Sequence, residues 1–337
     1  MPDWPVQTEE AVWEEHIYQF QLSDPLFGGP VIDPVTKQGI DNFPIMQLAN
    51  RTKWLRGQLE DMQTTESLEV TVGSGGDFAT INAALTELSR MGVGYQDELI
   101  VGTVRLQSGF VMEEQVISNH AGLGWIQIVG TDSETVIARD ALTQDYSHVG
   151  YAAFGALPGG SLPDIGQLFT MDNSGSATGR HGIVGQGHAS PIRVLSGCGV
   201  KNAGQDGCRI ITGTAWLQGG VVFSSNGRDN LASLSGARVF SGGTPDLSDA
   251  GRYGVYAQGH AFASVAGADI SGAGEYGVYA FRGSHIDVYQ ANCRKQSGVD
   301  DPDDIRATNG SIIVANAGDG GTNITPNEVT SSGIIFK

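Results

Sequence analysis

The sequence predicts an all-β protein, a right-handed parallel β-helix preceded by a helical or extended segment and a capping helix. Three observations carry that expectation. Glycine supplies 49 of the 337 residues, about twice its usual share in a globular chain. A repeat anchored on Gly179, Gly204, Gly227, Gly251 and Gly274 recurs at spacings of 25, 23, 24 and 23 residues. Within each repeat, short strand-like runs stand between tight corners, without the regularly spaced leucines of a leucine-rich repeat. A coil of this length pairs each turn with the next at about 4.8 Å and stacks like residues into ladders.

Composition bounds the rest. Charged residues make up 17% and apolar residues 40%, too hydrophobic for a disordered chain, and no apolar run reaches the length of a membrane helix. The formal charge is −18, which repels phosphate backbones and argues against nucleic-acid partners. Cys198, Cys208 and Cys293 cannot close a disulfide framework, and no basic-then-apolar leader follows Met1. Synthesis in a reducing cytoplasm is expected, with no membrane insertion, metal or cofactor.

In chain order, three regions are expected: 1–65, 66–178 and 179–337. Residues 1–40 carry Trp4, Trp13, Tyr18, Phe20, Leu22 and Phe27 in an acidic stretch broken by Pro and Gly. It is too aromatic for a linker and too short for a core, so packing on another subunit is expected. Residues 43–63 place Ile45, Leu48, Thr52, Leu55, Leu59 and Met62 alternately three and four apart, with Asn42 as a cap and Pro44 in the first turn. This seam suits either one surface helix or a coiled coil. Residues 77–91 put Phe78, Ile81, Leu85, Leu88 and Met91 on one helical face behind Asp77 as N-cap, a helix suited to covering the open first coil. Strands are expected at 98–106, 110–117 and 125–129, then a loop-rich apolar stretch from Tyr151 to Met171, together forming irregular first coils.

From Gly179 the repeat is regular. Three places after each anchor stand Gly182, Gly207, Asn230, Gly254 and Gly277, a column that reads as a left-handed corner. Next come the inward positions Ile183, Cys208, Leu231, Val255 and Val278, and two places further Gly185, Ile210, Ser233, Ala257 and Ala280. The cysteines fall in or beside these strands as core packing. A last turn is expected over 298–317, the chain stops on a strand-like 332–336, and no separate C-terminal domain is expected.

The runs Trp13-Glu-Glu-His-Ile-Tyr-Gln-Phe, Asp24-Pro-Leu-Phe-Gly-Gly-Pro30 and Gly39-Ile-Asp-Asn-Phe-Pro-Ile-Met-Gln-Leu-Ala-Asn-Arg-Thr-Lys-Trp-Leu55 resemble the N-terminal segment of tail fibre proteins of tailed bacteriophages and prophages. The run Gly75-Gly-Asp-Phe-Ala-Thr-Ile-Asn-Ala-Ala-Leu85 is similar to the opening helix of pectin-lyase-like β-helices, a fold common in phage tailspikes. The first resemblance implies virion attachment through a segment that includes Trp13, Tyr18, Gly28, Gly29, Asn42, Leu48, Arg51 and Leu55. The family further implies a homotrimer in the virion tail, assembled in the host cytoplasm. Its partners would be other tail or baseplate proteins and a glycan or protein receptor on the host surface.

Chemistry has few candidates. Asp206 and Asp229 share a column one turn apart, near the separation of a retaining glycosidase pair, although stacked acids are commonplace in so acidic a solenoid. Asp246, Asp269 and Asn292 form a weaker near-column. Arg180, Arg228, Arg252 and Glu275 follow the anchors and read as a solvated ladder with partial charge pairing. The Gly272-x-Gly274-x-x-Gly277 match belongs to the repeat and opens no helix, and Asp300-Asp-Pro-Asp-Asp304 reads as an exposed turn before a Ca²⁺ loop. Tyr253, Tyr256, Tyr276 and Tyr279 form an aromatic patch suited to sugar faces or, preferably, to a subunit interface. Turns of nearly constant length leave no long insertion to wall a catalytic groove, which favours a structural tail fibre or tailspike over the alternative, a polysaccharide depolymerase acting as glycoside hydrolase or lyase.

Overall fold

The computed structural model describes residues 48, 51–57, 63–64, 66–93, 100–172, 180–293, 304–315 and 327–336. Two compact units are present, one of Met1–Thr65 with Met91–Glu98 and one of Glu66–Arg90 with Leu99–Lys337. In the first, residues 51–57 are helical, Leu48 and Leu55 are exposed, and Gln63–Thr64 pairs in parallel with Gly92–Val93.

The second unit is built from parallel strands in three sheets of eleven, nine and four strands among the described residues. The eleven-stranded sheet runs from Leu68–Val72 to Ile334–Phe336, and the nine-stranded one from Val116–Ser118 to Asn327–Thr330. The four-stranded sheet ends at Gly199–Lys201 and continues as single bridges through Val222, Asp246, Asp269 and Asn292. Coil after coil, the chain visits the sheets in rotation, which is consistent with the expected parallel β-helix.

Register follows the repeat. Ile183 pairs with Cys208, then Leu231, Val255, Val278, Ile305 and Asn327. The members from Ile183 to Ile305 are fully buried. Each such side chain removed from water contributes about 1.5–3 kcal/mol, and the ladder gives every coil the same inward anchor. Phe154, Phe169 and Phe223 fill the interior beside it. The anchor glycines stack as well: Gly227 N–H donates to the Ala203 carbonyl, Gly251 to Asn226 and Gly274 to Ala250. Gly179 lies outside the described residues.

Three expectations change in detail. The column Gly182, Gly207, Asn230, Gly254 and Gly277 is absent from the left-handed region. Glycine is needed there for close approach: a Cβ on Gly277 would stand 2.3 Å from the Cys293 carbonyl oxygen, and one on Gly182 equally near that of Gly207. Asn230 fits because its amide donates to the Leu247 and Ser248 carbonyls at 2.7 Å. Left-handed pairs occur instead at another corner, as at Ser235–Gly236, Arg282–Gly283 and Asn309–Gly310.

Second, the helix spans Ile81–Leu88 with Thr80 as N-cap. Asp77 turns back to accept from the amide and hydroxyl of Thr71, both at 2.8 Å. Glu114 reaches over from the first coil to accept from the Ile81 and Asn82 amides. Burial raises the Glu114 pKa, while those two amide bonds pull it down. Ile81, Ala84, Leu85 and Leu88 join the common core. Third, the stretch expected to be loop-rich holds strands Tyr151–Ala156, Asp164–Gly166 and Leu168–Met171.

Candidate functional site

Strands Cys208–Ile211, Asp229–Leu234, Tyr253–Gln258 and Tyr276–Phe281 lie side by side in the nine-stranded sheet. The register of these strands carries a column at their leading corner, from His181 through Asp206, Asp229 and Tyr253 to Tyr276. Asp206 and Asp229 are 0% and 1% exposed. A buried carboxylate needs an ionic partner and hydrogen bonds, and the residue after each anchor glycine supplies them. Arg228 grips both oxygens of Asp206, its Nε at 2.7 Å. Arg252 does the same for Asp229, with Nε at 2.9 Å and Nη2 at 2.6 Å. Arg228 Nε also stands 3.7 Å from Asp229, so one guanidinium ties two coils.

His181 Nδ1 lies 3.3 Å and Arg209 Nε 3.8 Å from the same Asp206 oxygen. Burial works to raise the Asp206 pKa, but the Arg228 fork and the nearby His181 outweigh it and hold the group near 2. For Asp229 burial wins, helped by the neighbouring Asp206 charge, and the group is pushed up to about 6 despite Arg252. Every carboxylate oxygen of the pair sits in an arginine fork away from solvent. That arrangement braces adjacent coils and leaves no oxygen open to a substrate.

The tyrosines extend the same lattice. Tyr253 and Tyr276 are buried, and Tyr256 and Tyr279 are half-buried. Ring centroids lie 5.2 Å apart for Tyr253–Tyr256 and 5.5 Å for Tyr256–Tyr279. Arg252 covers the Tyr253 ring at 4.3 Å, and Arg306 donates to the Tyr276 hydroxyl at 2.8 Å. Burial, with Glu275 nearby, raises the Tyr253 pKa and keeps its phenol neutral. Asp246 and Asp269 each accept from the amide and hydroxyl of a serine two places on, Ser248 and Ser271, and so close local turns.

Sequence reasoning overlooked a different surface. On the outside of the eleven-stranded sheet, Arg193, Trp216, Phe240, Ser264, Asp287, Val314 and Phe336 form one column. Beside it run Arg238, Phe262, His285, Ile312 and Ile334. Trp216 is 50% and Phe336 53% exposed. The repeat therefore has a second outward face with exposed aromatic and aliphatic side chains. Aligning the runs Ala215-Trp-Leu and Ala237-Arg-Val-Phe on inward Ala215 and Val239 would have placed Trp216 beside Phe240.

Of the residues expected to attach to a virion, Trp13, Tyr18, Gly28, Gly29 and Asn42 lie outside the described residues, as do residues 300–303 of the acidic run. Arg51 is half-buried in the helical stretch that also carries Leu55. Cys208 and Cys293 are fully buried, Cys198 is half-buried, and all three are free thiols whose pKa burial raises. No helix among the described residues is long and apolar enough to cross a membrane. No protein-family model matches the chain, and no curated protein matches it.

Proposed function

We propose that this chain is a structural component of a phage tail, a tail fibre or short tailspike. Its N-terminal segment attaches to the virion, and a right-handed parallel β-helix contacts the host surface. The observation that carries the reading is the rotation of the chain through three parallel sheets with a coil length that scarcely changes from Ile183 to Val278. Such a coil extends by repetition and presents long faces for contact. The resemblance of the first 55 residues to tail fibre attachment segments supplies the setting. The working form is a homotrimer, bound to tail or baseplate proteins and to a host glycan or protein receptor.

A depolymerase is the second reading, and the sealed state of Asp206 and Asp229 counts against it. Incubating the purified protein with host surface polysaccharide separates the two. Binding with no change in polymer mass is expected. A fall in polymer mass, lost in Asp206→Asn or Asp229→Asn, would overturn the structural reading.

A further inference from the structure

We infer that the outward apolar stripe from Trp216 to Phe336 is the face on which copies of this chain meet, side by side and coil against coil. The inference rests on the homotrimer of the proposed function and assigns the surface that builds it.

Exposed apolar surface marks a contact, and apolar side chains recur on this face of the final coils, interrupted by Ser264, His285 and Asp287. Trp216, Ile334 and Phe336 are about half exposed, and Phe240, Phe262, Ile312 and Val314 are partly so. Charge selects the occupant. Each copy carries −18, so two copies repel over most of their surface. Across the two columns from Trp216 to Phe336, Arg238 and Asp287 are the ionised side chains and their charges balance. A stripe with no net charge is therefore where two such acidic copies repel least, and because the columns are in register along the coil, parallel copies bring the same residues to the same level, with the like pairs at Arg238 and Asp287 the only ones to keep apart.

Ring geometry argues against a sugar at this place. Trp216 and Phe240 stack on each other at 4.8 Å and 19°, and Phe240 meets Phe262 at 5.4 Å. The Trp216 and Phe240 rings spend a face on each other, whereas a saccharide stacks on free ring faces. A second apolar feature, on the other unit, points the same way: Leu48 and Leu55 lie seven residues apart in sequence and both are exposed, the spacing of a seam between parallel helices.

The test is light scattering on the full chain, wild type against the double variant Trp216→Glu/Phe240→Glu. The wild type should show three chain masses and the variant one, with circular dichroism unchanged. Because the double variant could unfold, Phe240→Cys is oxidised mildly in parallel, with Val136→Cys on the four-stranded sheet as control. A disulfide-linked pair of chains is expected from Phe240→Cys and absent from Val136→Cys and the wild type. A trimeric variant with no cross-link at 240 would overturn the assigned face and leave the trimer standing. A monomeric wild type would overturn the trimer and the face together. If Trp216→Glu/Phe240→Glu kept its mass but lost binding to host polysaccharide, the stripe would be a glycan surface, and the assignment would again fail.

Discussion

Asp206 shows what one buried charge does in this protein. Its carboxylate has no exposure and answers Arg228, His181 and Arg209 together. Asp206→Asn keeps the shape and removes the charge, leaving the Arg228 and Arg209 guanidiniums without the carboxylate they were desolvated to meet. A loss of about 2–3 kcal/mol at neutral pH is expected, from the depressed pKa and the cost of breaking a buried pair. The pH course follows from the direction of the shift. A carboxylate whose pKa falls from 3.8 toward 2 on folding stabilises the fold fully above pH 4 and loses that contribution as the pH falls to 2. Asp229 runs the other way: its raised pKa makes the ionised form unfavourable, so its contribution improves as the pH drops from 6 toward 4. Because the Asp206 charge helps to raise it, the Asp229 pKa falls in Asp206→Asn, so the comparison is read between pH 4 and 2, below the Asp229 transition. Urea denaturation of wild type and Asp206→Asn between pH 2 and 7 should show two midpoints that converge in acid, and a constant gap would refute the assignment.

At the scale of the element, the corner column separates two uses of glycine. Gly277 has ordinary backbone angles and no room, with the Cys293 carbonyl oxygen 2.3 Å from the place a Cβ would take. Gly236 has open space and a φ of +79°. Gly277→Ala must push away the Cys293 carbonyl of its own coil and should cost up to about 3 kcal/mol, whereas Gly236→Ala costs roughly 1 kcal/mol in backbone strain. Denaturation midpoints of the two variants check the order. The repeat was legible because one coil equals one period, so residues that pair in space recur in sequence. The reason for its glycines was not, since crowding by a carbonyl remote in sequence leaves no local mark. Asp77 and Thr80 are both good caps by type, and only the pull of Thr71 on Asp77 decides between them. The outward column of Arg193, Trp216, Phe240 and Ser264 is aromatic in only two successive coils, so no periodicity announces it. The arginine forks of the candidate site were half legible: Arg228 and Arg252 stood out as a ladder, but not as the partners that seal Asp206 and Asp229.

For the whole molecule, the register has a kinetic meaning. Strand partners such as Leu231 and Val255, or Val255 and Val278, are separated by under a tenth of a chain of 337 residues. All-β proteins generally fold slowly because their pairings are remote, yet here the relative separation is about 0.07, at the level of helical bundles. Each coil also bonds only to its two neighbours, so order spreads by accretion and damage stays where it falls. Hydrogen exchange should therefore show Gly277→Ala loosening the coils around Val255, Val278 and Ile305 while amides near Val104 and Ile128 keep their wild-type protection. Uniform loosening along the chain would mean that the coils melt as one. A lineage carrying such a chain could lengthen, shorten or rewrite it one coil at a time, because no coil's survival depends on a distant one.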